Sequence, residues 1–297
     1  MTVRSRRQAR MTKKIVIGVD GSEPARAALR WGVGFAERTK SDVELFYVID
    51  LTPFSDTPVF ESEALAEGQK MLDQELAYAK SIAPGVTFTT NLAPGTPTAV
   101  FEDESKGAEL VVVGTHKGSK LPNVIFGSKP IRLAASAHSP VAVVPTYDLG
   151  ERHDVVVAVD GSETANKALD YAARAAALLG ERLRIVAAWT IPALPATDVA
   201  WSAQIIEEVR NETRAVLQGA KELAAKTEPG IEIETQLVEA EPVRGIVEAA
   251  KDAALLVVGN RGRKGLTRLF LGSVSHGVLN NIPAPVIIIR ADEQAGL

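Results

Sequence analysis

Apolar residues in this chain come in short unbroken runs, each followed by a glycine- or proline-containing break and then a stretch with helical spacing. The first run, Ile15-Val16-Ile17-Gly18-Val19, predicts a buried strand over 14–19. Further strands are predicted over 43–49, 86–92, 109–113 and 141–144. A second series follows at Val155–Val159, Leu183–Ala188, Ile231–Val238, Leu255–Val258 and Val286–Ile289. The third run of this series alternates and reads as an edge strand. Between the runs lie helices. Ser162 can cap one starting at Glu163, whose stripe Ala165, Ala168, Leu169, Ala172 and Ala176 keeps helical spacing before Gly180 stops it. A stripe of alanines lets a helix lie close to a sheet. A long helix is predicted near 200–226, another over 242–252, and a short one over 274–281.

The pattern occurs twice. Asp20-Gly21-Ser22-Glu23 returns as Asp160-Gly161-Ser162-Glu163, a shift of 140 residues. In a second register, shifted by 145, Val112-Val113-Gly114 matches Val257-Val258-Gly259 and Gly127-Ser128 matches Gly272-Ser273. Pro140-Val141 matches Pro285-Val286 in that register as well. One five-residue insertion separates the registers, so the chain is a duplicated domain. The predicted layout is a basic tail over 1–12, one domain over 13–148 and another over 153–291. Strands joined through helices run parallel with right-handed crossovers, and such doubly wound sheets hold ligands at the carboxyl ends of their strands. Both Asp-Gly-Ser turns and both glycine loops fall there.

The loop after Val258 carries the clearest chemistry. It has Gly259, two residues, Gly262, nine residues, then Gly272-Ser273-Val274-Ser275 opening a helix. Glycines let a backbone approach a ligand closely, and a helix start offers unpaired N–H groups and the positive end of its dipole. That combination suits phosphate. There is no Walker lysine, and the loop does not follow the first strand as a dinucleotide fingerprint would.

The spacing, together with Val-Asp-Gly-Ser after the first strand, Val-Val-Gly ending the fourth and Pro-Val before the fifth, resembles the universal stress protein family in its ATP-binding group. The resemblance covers nearly all of 13–290. It implies two tandem Rossmann-like α/β domains, each a five-stranded parallel sheet ordered 3-2-1-4-5. It also implies pairing of domains through the last strand and a role in stress survival. On that resemblance Asp160 falls on the adenine-side aspartate, beside Gly161 and Ser162. Ala188 falls where a strand end meets adenine through its backbone. Val258, Gly259, Arg261, Gly262, Gly272, Ser273, Val274 and Ser275 fall on the ribose and phosphate positions. The bland alternative is that Asp160-Gly161-Ser162 is only a turn and helix cap.

The first half offers a weaker set: Asp20, Gly21, Ser22, Val48, Gly114, Lys117, Gly127 and Ser128. Lys117 stands where the other loop has Gly262. Pro130 stands at the Ser275 position, removing an N–H and a hydroxyl. Lys117 and Lys129 offer charge in exchange; otherwise this half is a structural partner.

Composition removes several classes of function. The chain has 297 residues, no cysteine and a formal net charge of −4, so thiol chemistry and general nucleic-acid binding are not expected. No apolar run is long enough for a membrane span, and the expected setting is cytoplasmic. Arg4, Arg6, Arg7 and Arg10 read as a loose tail, with Met11 an alternative start. His116, His138, His153 and His276 are scattered and form no metal spacing, and no Ser/His/Asp set assembles. The expectation is a nucleotide-binding signalling protein, not a turnover enzyme. Its ligand is ATP, with magnesium as a possible companion, or alternatively cyclic AMP. A slow ATPase and a pure interaction module are the rival classes. The halves are expected to pair internally, with a homodimer possible beyond that.

Overall fold

The computed structural model describes residues 14–50, 58–115, 128–146, 151–191, 199–262 and 271–290. The basic tail, Lys117, Gly127 and the cationic residues Arg263, Lys264 and Arg268 lie outside these. The first half contains β1 (Lys14–Gly18), α1 (Glu23–Thr39), β2 (Asp42–Ile49), α2 (Pro58–Ile82), β3 (Phe88–Pro94), α3 (Pro97–Glu104), β4 (Leu110–Gly114), α4 (Ser128–Ser136) and β5 (Val141–Val144). The second repeats the plan with β6 (His153–Ala158), α5 (Glu163–Leu179), β7 (Leu183–Trp189), α6 (Val199–Thr227), β8 (Ile233–Glu239), α7 (Pro242–Ala249), β9 (Ala253–Gly259), α8 (Ser273–Asn280) and β10 (Val286–Ile289).

The strands form one sheet in the order β3-β2-β1-β4-β5-β10-β9-β6-β7-β8. Each half therefore has the 3-2-1-4-5 order, and β8 is an edge as its alternation predicts. Within each half all neighbours are parallel. The halves join through β5 and β10, which run antiparallel with Val143 opposite Val286, Ala142 opposite Ile287 and Val141 opposite Ile288. A bare Val-Ala-Val-Val strand and a bare Val-Ile-Ile-Ile strand would each invite aggregation. Here each covers the other, and all eight side chains are buried.

Two apolar layers flank the sheet. One packs Ile17, Leu45, Val112, Ala142, Val157, Ile287 and Ile289 under α1, α2, α5 and α6. The other packs Val16, Phe46, Val143, Val156, Leu256 and Ile288 under the short helices. Both layers run unbroken across the join, so the halves share their cores. The alanine stripe works as expected: Ala165, Ala168, Ala172 and Ala176 are buried. Sequence spacing missed that Tyr171, Ala173 and Ala175 are buried too: besides the sheet, α5 packs on α6 and on α1 of the other half.

Some boundaries differ from the sequence reading. β3 begins at Phe88, not 86, because Val86 N–H closes a turn onto the Ala83 carbonyl and pairing with β2 starts at Val43–Phe88. β8 begins at Ile233, not 231, because Gly230, at φ +101°, extends the turn. β9 begins two residues early, at Ala253, opposite His153.

At the amino ends of the strands the halves carry the same ion pair with its charges exchanged. Lys14 Nζ meets Glu44 at 2.6 Å. In the 140-residue register those positions become Asp154 and Arg184, which bond to each other, and Arg182 adds bonds to Asp154 at 3.0 and 2.9 Å. The hydrogen bond from Arg182 holds the Asp154 carboxyl below its ordinary value, with the charge of Arg184 adding to it against burial. A depressed folded-state pKa gives stability that is fully present above the unfolded value of about 3.9 and is lost as pH falls through the folded value. Asp154 sits at φ +67°, which Asn also tolerates, so Asp154→Asn removes the charge and leaves the backbone alone. It should cost on the order of 2 kcal/mol at neutral pH, and the gap from wild type should narrow at an acid pH, as the pH falls below the unfolded value of about 3.9 and through the depressed folded value. Urea unfolding at the two pH values measures this. An equal gap at both would remove the ion pair as the cause.

Candidate functional site

Each crevice forms where the first strand of a half ends. In the second half Val159 N–H makes the last rung, to the Val186 carbonyl at 2.9 Å. The chain then turns at Gly161, whose φ of +82° is the left-handed region that favours glycine. Asp160 Oδ1 accepts from Ser162 N–H at 3.0 Å, and Ser162 Oγ accepts from Ala165 N–H at 3.2 Å to cap α5. So Gly161 and Ser162 build the turn, while Asp160 faces the cavity.

Across from Asp160, β9 delivers the glycine loop. Asn260 N–H donates to the Ile289 carbonyl, and its own carbonyl accepts from Gly272 N–H at 2.7 Å and Ser275 Oγ at 2.9 Å. These bonds fold the far end of the loop back onto its start. A Cβ at Gly262 would lie 2.5 Å from Asp160 Oδ2, and one at Gly272 would lie 3.2 Å from Arg261 Cα. A side chain at Gly262 would push the Asp160 carboxylate aside, and one at Gly272 would make the loop start give by a few tenths of an ångström.

Helix α8 starts at this point. Gly272 is its N-cap and offers no side chain, and His276 N–H makes the first helical bond, to the Gly272 carbonyl at 2.9 Å. The N–H groups of Ser273, Val274 and Ser275 precede that bond and belong to the unpaired start of the helix. They edge a cavity of about 380 Å³, which Val258, Arg261 and Ala188 also line. Ser275 corrects one detail of the sequence reading. Its side chain is buried and donates to loop carbonyls, so its hydroxyl locks the loop and its N–H is what remains for a ligand.

The direction of the Ala188 backbone follows from sheet geometry. In a parallel strand alternate residues bond to alternate neighbours. Leu183 N–H and the Trp189 carbonyl bond toward β8, and the Val186 carbonyl bonds toward β6. The polar groups of Ala188 therefore point to the β6 side, beyond the end of β6.

The first half has a smaller cavity, about 300 Å³, lined among others by Asp20, Ser22, Val48, Gly114 and Lys129. Gly21 shapes the turn at φ +72° and does not line it. The side chain of Ser128 lies outside the described residues. Gly114 and Gly259 have a second duty: a Cβ would stand 2.2 Å from the Pro24 carbonyl oxygen in one case and 2.9 Å from Thr164 Cγ2 in the other. They let the first turn of α1 or α5 close on the fourth strand. The sequence reading missed Pro97 and Phe101 and their partners in the 145-residue register, Pro242 and Ile246, all of which line the cavities. The register carried the signal, since it pairs proline with proline at a helix start.

His138, His153 and His276 are exposed, and no group of three His, Cys, Asp or Glu among the described residues is placed to hold a metal. No helix among the described residues is long and apolar enough to cross a membrane.

A doubly wound sheet in two copies, with a glycine loop and a helix start facing an aspartate at the strands' carboxyl ends, defines a tandem α/β protein with a crevice in each half. The chain belongs to the universal stress protein family, whose model matches residues 11–145 and again 151–290. A universal stress protein of Mycolicibacterium smegmatis is 30% identical over 294 residues, covering 93% of this chain and 96% of that one. The crystal structure of a universal stress protein from Archaeoglobus fulgidus shares the fold, with a TM-score of 0.67 at 22% identity over 94% of this chain and 98% of that one. A universal stress protein solved in complex with cAMP is 30% identical, with a TM-score of 0.36 over 48% of this chain and 99% of that one.

Proposed function

We propose that the second half binds an adenine nucleotide, ATP in the first place, and that the protein acts as a nucleotide-responsive member of its family rather than as a turnover enzyme. The observation that carries this reading is the cradle at Gly262 and Gly272. Backbone without Cβ faces a cavity there, beside the unpaired N–H groups of α8 and the Arg261 side chain. Such a place favours an anion. The cavity, about 380 Å³, falls within the usual range for small-ligand pockets of about 300–1,000 Å³. Ala188 would read the base edge through its backbone and Asp160 the ribose hydroxyls. Any magnesium would ride on the phosphates, since the wall supplies one carboxylate, Asp160.

Cyclic AMP is the second reading, and Ser275 is the reason. With its hydroxyl given to Asn260, the site has fewer donors than its residues suggest, which suits a single phosphate.

Purified protein, denatured and analysed by mass spectrometry for released small molecules, tests the reading, together with calorimetric titration of the full chain. The expected result is one tight ATP per chain, bound more strongly than cyclic AMP. Tighter cyclic AMP would favour the second reading. Heat from neither ligand and nothing released would end both. Sustained phosphate release on incubation with ATP would overturn the non-enzymatic part.

A further inference from the structure

The sheet ends in two edges, β3 and β8, and they are equipped differently. Among the described residues no strand pairs with the outer side of either. β8 is guarded. Glu232 stands just before it, Glu234 and Glu239 lie on it, and all three are exposed. Charged side chains keep an edge from pairing with another strand. β3 has no such guard. In the 145-residue register the three glutamates become Thr87, Thr89 and Pro94, and no charged residue occurs anywhere between Lys80 and Glu102.

The backbone of β3 fixes which groups face outward. Val43 N–H donates to the Thr87 carbonyl, and Gly95 N–H donates to the Ile49 carbonyl. Odd-numbered residues of β3 therefore bond toward β2. The N–H and carbonyl groups of Phe88, Thr90 and Leu92 point away from the sheet. Pro94 has no N–H and ends this free ladder.

The exposed ladder is complementary to itself. Consider β3 laid antiparallel against its own copy, with Thr90 facing Thr90. Phe88 then faces Leu92 of the copy, and each facing pair exchanges two hydrogen bonds. Phe88 and Leu92 are half-buried and pack on the core layer beneath α2, so their remaining apolar surface would be covered. On the opposite face Thr89 meets Asn91 of the copy, polar against polar, and both are exposed in the single chain. No charge opposes a charge at any position. Such a twofold contact closes on itself, whereas β3 against β8 would run head to tail and continue as a filament. The glutamates of β8 oppose that second arrangement. One open edge and one guarded edge give a dimer that stops at two.

We propose that β3 is the docking surface for a second copy of this chain, paired antiparallel about Thr90, so that the two ten-stranded sheets become one. The contact lies apart from both crevices and needs no nucleotide. Sedimentation velocity of the full chain over a concentration series should show monomer giving way to dimer. Thr90→Pro deletes the outward N–H at the centre and leaves the bonds to β2, and edge strands accept proline at such positions. It should weaken the dimer about tenfold or more. Thr89→Lys sets a lysine diagonal to its own copy and should also weaken the dimer, without altering the backbone. Thr235→Pro, the matching change on β8, should leave the dimer within twofold of wild type. The chain has no cysteine, so Thr90→Cys gives a direct readout. Facing residues in a hydrogen-bonded pair have Cα atoms about 5.5 Å apart, within reach of a disulfide. Oxidation should link Thr90→Cys chains in pairs and leave Thr235→Cys chains unlinked. Melting curves check that each variant folds. A wild type that stays monomeric at every concentration would overturn the proposal and leave this edge to a strand of another protein. A dimer that survives both Thr90→Pro and Thr89→Lys, that is lost in Thr235→Pro, or that Thr90→Cys fails to link would overturn it as well.

Discussion

Replacing Gly272 with glutamate should remove ATP binding while the protein stays folded. A Cβ at this position already lies 3.2 Å from Arg261 Cα and 3.4 Å from the Asn260 carbonyl oxygen, so the loop must move by tenths of an ångström. The carboxylate then sits at the start of α8, where phosphate would otherwise collect the helix's positive end. Each charge-assisted hydrogen bond lost is worth about 1.5–3 kcal/mol. At about 1.4 kcal/mol per tenfold, losing even one lowers affinity by roughly 10- to 150-fold, and repulsion adds to that. The fold should tolerate the change, because Gly272 has φ −66°, open to any residue, and is half-buried at a helix end. Gly272→Ala separates the two causes: crowding without charge should cost about tenfold or less. Calorimetric titration decides, and unchanged ATP affinity in a folded Gly272→Glu protein would mean that phosphate does not bind here.

The second large effect should come from the join. Ile287 is fully buried, faces Ala142 across the antiparallel seam and Val257 on its other side, and belongs to a core that both halves share. Ile287→Asp puts a carboxylate in that layer without a partner. Stranding a buried charge costs about 3–5 kcal/mol, and the lost isoleucine adds about 2. Against a total stability of about 5–15 kcal/mol this is a large share. At about 2–4 °C per kcal/mol for a domain of this size, the midpoint of thermal unfolding should fall by about 10 °C or more. Both halves should lose stability together, because neither core ends at the seam. A drop of a few degrees, or melting of the second half alone, would show that the halves are energetically separate.

Much of this architecture was legible in the residues. The apolar runs marked the strands, and two repeat registers marked the duplication. The glycine loop and the helix start after it marked the crevice. What stayed hidden has a common physical origin: contacts between residues far apart in the chain. Phe101 and Gly18 are meaningful only once β1 and α3 lie together. The hydroxyl of Ser275 reads as a ligand group until the Asn260 carbonyl is seen beside it. The Lys14–Glu44 pair and its inverted copy escaped a search for repeated identities, because exchanged charges look like mismatches. Yet they keep the interaction while changing both letters. The late start of β3 depended on a turn bond from Val86, which no local pattern distinguishes from strand.

The antiparallel seam has a consequence for who can read the two crevices. All strands of one half point one way and all strands of the other point the opposite way. The two crevices therefore open on opposite rims of a single slab. No small molecule can bridge them, and a flat partner resting on one rim meets one mouth only. A partner that senses both must reach around the slab like a clamp. To anything that approaches from one side, this protein is a one-site molecule, and turning it over presents the other site.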